Sequence, residues 1–131
     1  MDDAGMVEVG QWLIKARRDM DSARVLIDQG LNDTGVYHCQ QAAEKALKAY
    51  LSWRKVPLRK VHDLTALVKE CSALDASFLS LMDLADILTP YVIAFRYPGD
   101  VLEPEIADAR EALELAEKVL DFILTKVPEE D

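Results

Sequence analysis

The sequence predicts an all-α, up-and-down helical bundle, and three observations carry that prediction. Apolar residues recur at three- and four-residue steps through most of its 131 residues. No stretch alternates with period two for long enough to make a strand, and the candidate helices are separated by short connections. Four long helices plus a short fifth account for the pattern in a single domain over residues 1–131, with 1–5 and 128–131 as tails.

The first helix is expected over roughly Val7 to Gln29. Val9, Trp12, Leu13, Ala16, Met20, Ala23 and Ile27 form its apolar stripe, while Lys15, Arg18, Asp19, Ser22 and Asp28 face out. Gly30 is the expected stop, because glycine enters the left-handed conformation at no steric cost. Asn32 or Asp33 then caps a second helix that runs to about Trp53. Ala43, Ala46, Leu47 and Tyr50 share one face of it, and Gln41, Glu44, Lys45, Lys48 and Ser52 share the opposite one. The small residues suit a helix at the centre of a bundle, and the charges of its polar stripe are open to another use. Glu44 and Lys48 stand in the favourable i,i+4 order, which contributes only a few tenths of a kcal/mol, about 0.2–0.5, to a helix.

Pro57 opens an extended connector. Asp63, or His62 beside it, begins a short third helix with Leu64, Leu67, Val68, Cys71 and Leu74 on one side. A fourth is expected from about Ala76, carrying Phe78, Leu81, Met82, Ala85 and Leu88. It ends near Thr89 because Pro90 lacks an amide proton, and Thr89-Pro90 can restart a short turn through Ile93. Phe95-Arg-Tyr-Pro-Gly-Asp100 reads as an ordered loop. Pro104 suits the first position of the last helix, which runs to about Lys126. Its two adjacent stripes, Ile106, Ala109, Leu113, Ala116, Leu120, Ile123 and Ala112, Leu115, Val119, Phe122, call for two neighbours.

Composition narrows the function classes. A chain that is 50% apolar and 30% charged has the make-up of a globular domain. No apolar run approaches the roughly 18 residues of a membrane span, and the acidic start lacks the basic segment of a secretion signal, so the expected location is the cytoplasm. Cys39 and Cys71 lie far apart with no Cys-x-x-Cys spacing, which argues for reduced, partly buried thiols and against a zinc site or redox motif. The net charge of −9 argues against a general nucleic-acid coat protein. Within that acidic average lies a basic island: no acidic residue occurs from Lys45 to His62, while Lys45, Lys48, Arg54, Lys55, Arg59 and Lys60 all fall there. It is read either as a solvated helix end or as a landing place for phosphate or an acidic surface.

Enzyme signatures are scarce. The five glycines are scattered, so there is no phosphate loop, and neither a Glu-x-x-His pair nor a serine with a positioned base is present. His38 reads as a boundary residue. His62 stands at a helix start, where an imidazole can cap amides or touch an anion. Arg96 and Tyr97 precede Pro98-Gly99, a combination suited to stacking and phosphate contact, or to tying the loop to nearby carboxylates.

Gln40-Gln-Ala-Ala-Glu-Lys-Ala-Leu-Lys-Ala-Tyr-Leu51, then Val61-His-Asp-Leu64, then Arg96-Tyr-Pro-Gly-Asp100, in that order, resemble the HEPN domain, the nucleotide-binding domain of higher eukaryotes and prokaryotes. The likeness spans the chain from Trp12 to the closing helix. It implies a helical bundle that forms a homodimer and, in bacteria and archaea, is often made beside a separate minimal nucleotidyltransferase. A second branch of the family comprises metal-independent ribonucleases marked by an Arg followed four to six residues later by a His. Here seven residues separate Arg54 from His62, two separate Arg59 from His62, and no histidine follows Arg96.

The expectation is therefore a non-catalytic accessory subunit that binds a nucleotide such as ATP, or a substrate, for a nucleotidyltransferase partner, in a toxin–antitoxin-like pair. Its contact surface is expected at Gln41, Glu44, Lys45, Lys48, His62, Asp63, Arg96 and Tyr97, with the last helix and Trp53 as candidate dimer surfaces. A ribonuclease toxin and a purely structural dimeric interaction domain are the alternatives.

Overall fold

The computed structural model describes residues 3–95, 97–98 and 103–128. Five helices follow one another: α1 (Asp3–Asp28), α2 (Asn32–Trp53), α3 (Leu64–Leu74), α4 (Met82–Leu88) and α5 (Ile106–Lys126), with short 3-10 turns at Ala76–Leu81 and Thr89–Val92. No strand occurs among the described residues. The all-α bundle expected from the sequence is what forms, with three long helices and two short ones in place of four and one.

Helix α2 sits in the middle. Of its 22 residues, 14 are buried, and it touches α1, α3, α4, α5 and the 89–92 turn. Only a helix with neighbours on most sides can hide that much of its circumference. Alanine makes this possible: Ala42, Ala43, Ala46 and Ala49 on α2, Ala16 and Ala23 on α1, and Ala109, Ala112 and Ala116 on α5 are all buried. Gly35 is a further concession to closeness, since a Cβ there would stand 2.4 Å from Ile27 Cγ1.

Paired contacts give the directions. Gly35 meets Ile27, Lys45 meets Asp19 and Lys48 meets Trp12, so α1 and α2 are antiparallel. Arg24 reaches Glu117, and Gly10 and Pro128 line one groove, so α1 is antiparallel to α5 as well. Helices α2 and α5 are consequently parallel. Asn32 Nδ2 donates to the Pro104 carbonyl at their starts, and Tyr50, Phe78 and Phe122 stack at their ends with ring centroids 4.4 and 5.0 Å apart. The 54–105 segment, with α3 and α4 inside it, carries the chain back to allow this. Leu64 N donates to Thr89 Oγ1 and Thr65 Oγ1 to Asp86, which ties the start of α3 to the end of α4.

Local chemistry sets the helix ends. Gly30, at φ +80°, closes α1 with hydrogen bonds from Gly30 N to Ile27 O and from Leu31 N to Leu26 O. Helix α2 closes in the same way, from Lys55 N to Ser52 O and from Val56 N to Leu51 O, but with a lysine at φ +62° in the glycine position. A side chain in that left-handed conformation costs about 1–2 kcal/mol.

Several boundaries differ from expectation. Helix α1 begins at Asp3, so residues 3–5 belong to it and not to a tail: no breaker stronger than Gly5 interrupts the good helix formers around it. The residue flanking α2 is Leu31, without a side-chain cap. Asn32 commits its amide to Pro104, and Asp33 accepts from Thr34 N. Pro104 precedes α5 instead of starting it, because its buried carbonyl is held by Asn32 and Glu105 is still extended. The fourth helix is shortened because Asp75, itself extended, takes both the amide and the hydroxyl of Ser77 and starts a 3-10 turn. Leu74 and Ile106, placed on apolar stripes, are exposed at helix termini.

Two stability tests follow from this packing. Gly35→Val is expected to lower unfolding free energy by about 1–3 kcal/mol through overpacking against Ile27, measured by urea denaturation at constant m. The Asp75 carboxyl is pulled from an ordinary 3.8 to about 2 by hydrogen bonds from the Ser77 hydroxyl, Lys126 and the Ser77 amide. A lowered folded-state value means stability that is present above 3.8 and lost as pH falls through about 2. Asp75→Ala should therefore melt below the wild type at neutral pH, with the gap closing at the acid end of that window.

Candidate functional site

The stripe expected to form a contact surface on α2 is largely buried. Glu44 is 3% exposed, Lys48 6%, Gln41 9%, and Gln40 is fully buried. The correction has a physical cause: α1 closes over one flank of this face and the 54–63 connector over the other. Polar groups tolerate such cover only when they satisfy one another, and these do.

Glu44 is the hub. Its Oε1 accepts from His62 Nδ1 at 2.9 Å and from Gln40 Nε2 at 3.3 Å, and its Oε2 accepts from Lys48 Nζ at 3.1 Å. Gln40 Nε2 also donates to the His62 carbonyl at 2.8 Å, and Gln41 Nε2 to Gln40 Oε1 at 2.7 Å. The Lys48 ammonium lies 5.7 Å from the centre of the half-buried Trp12 ring of α1. A carboxylate accepts only, so Nδ1 of His62 carries the proton and Nε2 is the ring nitrogen left for an outside group. The His62 side chain is 60% exposed and its carboxylate partner 4%. This is an imidazole held in one orientation by a buried acid, with the Lys48 ammonium behind that acid.

A second cluster of the same composition stands on the α1–α2 seam. Asp19, placed on the outward face by sequence, is 8% exposed. Its Oδ1 bonds His38 Nδ1 at 2.8 Å and its Oδ2 accepts from Lys45 Nζ at 2.6 Å. Both histidines of the chain are thus anchored through Nδ1 to a nearly buried carboxylate that also holds a lysine.

Among the remaining expected site residues, Asp63 caps α3, its Oδ1 accepting from Thr65 N and Ala66 N at 2.9 and 3.3 Å. Tyr97 is exposed and lines a shallow depression with Pro90, Ile93 and Ala94, which no member of the Glu44 network lines. Arg96 lies outside the described residues. The structure therefore joins Gln41, Glu44, Lys48 and His62, puts Lys45 in the neighbouring Asp19 cluster, and gives Asp63 to helix capping. Gln40, Trp12 and Asp19 are the participants that sequence reasoning missed. The signal for Asp19 was its place between Ala16 and Met20, at the edge of the apolar stripe.

Of the basic island, Lys45, Lys48 and Arg59 are neutralised by Asp19, Glu44 and Glu70. Cys39 and Cys71 are unpaired and fully buried, and burial pushes both thiols up to about 12, which leaves them inert. Among the described residues no group of three His, Cys, Asp or Glu could hold a metal ion, and no helix is long and apolar enough to cross a membrane.

The HEPN domain family model matches residues 9–127. A Methanocaldococcus jannaschii protein named "Putative toxin MJ1304" is 30% identical over 140 residues, which take in 94% of this chain and 91% of that one. TT1696 from Thermus thermophilus superposes with a TM-score of 0.80 at 28% identity, over 91% of this chain and 98% of its own. The archaeal HEPN homologue ST0689 gives 0.73 at 25% identity, over 92% and 98%.

Removing Glu44 leaves the buried Lys48 charge without a partner. Glu44→Leu is expected to cost about 3–5 kcal/mol of unfolding free energy, while adding Lys48→Met to it should recover most of the loss. Urea denaturation of the two single variants and the double variant measures this coupling.

Proposed function

We propose a function for this chain from one premise: it belongs to the HEPN domain family. The chain acts as a non-catalytic accessory subunit that binds a nucleotide or a substrate for a minimal nucleotidyltransferase, as a homodimer, in a toxin–antitoxin-like pair in the cytoplasm. The observation that carries this reading is the Glu44 network. It fixes the exposed His62 side chain through Nδ1 and leaves Nε2 for another group, a geometry suited to holding a ligand. The relative named as a toxin supports the toxin–antitoxin setting.

Ribonuclease activity is the competing reading, and the arrangement around His62 weighs against it. Phosphodiester cleavage in this family pairs an arginine that holds the phosphate with a histidine that moves a proton. The arginine nearest His62 in sequence, Arg59, is engaged by Glu70 of α3.

Co-expression with the neighbouring gene product, followed by native mass spectrometry with and without ATP, is expected to show a hetero-complex built on a dimer of this chain. Isolation of the chain alone under both conditions would remove the accessory-subunit reading. Incubation of the purified protein with RNA and chelator is expected to leave the RNA intact. Cleavage abolished by His62→Ala would establish the nuclease instead.

A further inference from the structure

Lys55 occupies a position that glycine would fill without strain. The same chain shows the contrast: α1 and α2 end with equivalent hydrogen bonds, one around Gly30 and the other around Lys55 at φ +62°. A side chain held at that place against backbone strain points to a use for its ammonium group. That group is exposed and makes no ion pair among the described residues, and the same holds for Lys60. Arg54 donates to the Tyr50 hydroxyl at 2.7 Å and lies 5.8 Å from the centre of its ring, and it too makes no ion pair among the described residues. Arg54 and Lys55, two of the island's cations without an ion pair among the described residues, stand together at this end of the bundle.

Lys55 opens onto a cleft of about 550 Å³ that is lined also by Ser52, Val56, Pro57, Leu58 and, across from them on α1, Glu8. Small-ligand sites have volumes of this order. Glu8 and Lys55 line the same cleft without forming an ion pair. The lining falls into three chemistries: an ammonium with a hydroxyl beside it, a carboxylate, and an apolar wall that includes a proline ring. A free phosphate would use only the first. A nucleoside phosphate uses all three, with phosphate oxygens on Lys55 and Ser52, the ribose diol donating to Glu8, and the base on Val56, Pro57 and Leu58.

We propose that the cleft between the start of α1 and the end of α2 is a nucleoside-phosphate site, with Lys55 as its phosphate anchor and Glu8 as its ribose acceptor. The assignment rests on the nucleotide-binding reading above and places the nucleotide in this cleft, which leaves His62 of the Glu44 network to the substrate or the partner.

Isothermal titration of the full chain with ATP tests it. Lys55→Gly relieves the backbone, so it should melt a few degrees above the wild type without ligand and yet bind ATP about tenfold more weakly, the loss of one charge-assisted contact worth about 1.4 kcal/mol. Lys55→Asn, which tolerates the left-handed conformation, should show the same weakening, and Lys55→Arg should restore binding. The wild type should prefer ATP to its 2′,3′-dideoxy analogue, and Glu8→Gln should erase that preference. If Lys55→Gly binds ATP as tightly as the wild type, the cleft is not the site and the nucleotide reading stands without it. If the wild type binds no ATP, both fall.

Discussion

A carboxylate that cannot reach water is the constraint from which the rest of this arrangement follows. Glu44 lies on the most buried helix of the bundle, with its side chain 4% exposed. Desolvating such a group costs several kcal/mol unless charge and hydrogen bonds replace the lost water. Lys48 supplies the countercharge from one turn along the same helix, and His62 and Gln40 fill the remaining acceptor positions. His62 comes from the connector, so satisfying the carboxylate also fixes the connector against α2. Two residues later Leu64 starts α3, with Asp63 capping it. The same hydrogen bonds that make the burial tolerable therefore decide where the middle of the chain is laid down.

The fold was legible in the sequence where periodicity alone decides. The stripe from Val9 to Ile27 and the alanines of α2 and α5 mark buried faces whatever they pack against, and Gly30 and Asp63 act through local backbone chemistry. The site was legible as a set of residues but not as an environment. Polar side chains at 41, 44, 45 and 48 produce the same pattern whether the face meets solvent or meets α1 and a connector. What separates the two cases is whether partners exist, and those partners, Asp19, Trp12 and His62, stand 18 to 36 residues away in sequence from the α2 residues they engage. A helix count based on breakers failed for a related reason. Asp75 diverts the chain into a 3-10 turn through its own side chain, which a reading of apolar spacing does not see.

The distribution of charge separates structural from available cations. Lys45 and Lys48, the most conspicuous members of the basic island, are committed to carboxylates inside the bundle, and Arg59 is committed to Glu70. Arg54, Lys55 and Lys60 remain, the first two at the end of α2 and the third further along the connector. A chain of net charge −9 repels anions at long range. An anion that nevertheless binds must do so at a local excess of unpaired cations, and this end of the bundle provides one.

Cleavage and binding place different demands on His62. To move protons in phosphodiester cleavage, an imidazole needs a cation close by that holds the scissile phosphate, and both must face the same oxygen atoms. Glu44 already takes Nδ1, which is compatible with either role, since orienting acids serve catalytic and structural histidines alike. The difference lies with the cations. Lys48 is behind the carboxylate and 6% exposed, so it compensates Glu44 and does not reach outward. Arg59 points to α3 instead. An imidazole with a buried acid behind it, and with Lys48 and Arg59 committed to carboxylates, retains its second ring nitrogen, which is enough to make a directional hydrogen bond to a ligand or to a partner's surface. Binding requires only that one contact, and on this ground the arrangement supports the binding role proposed for the chain.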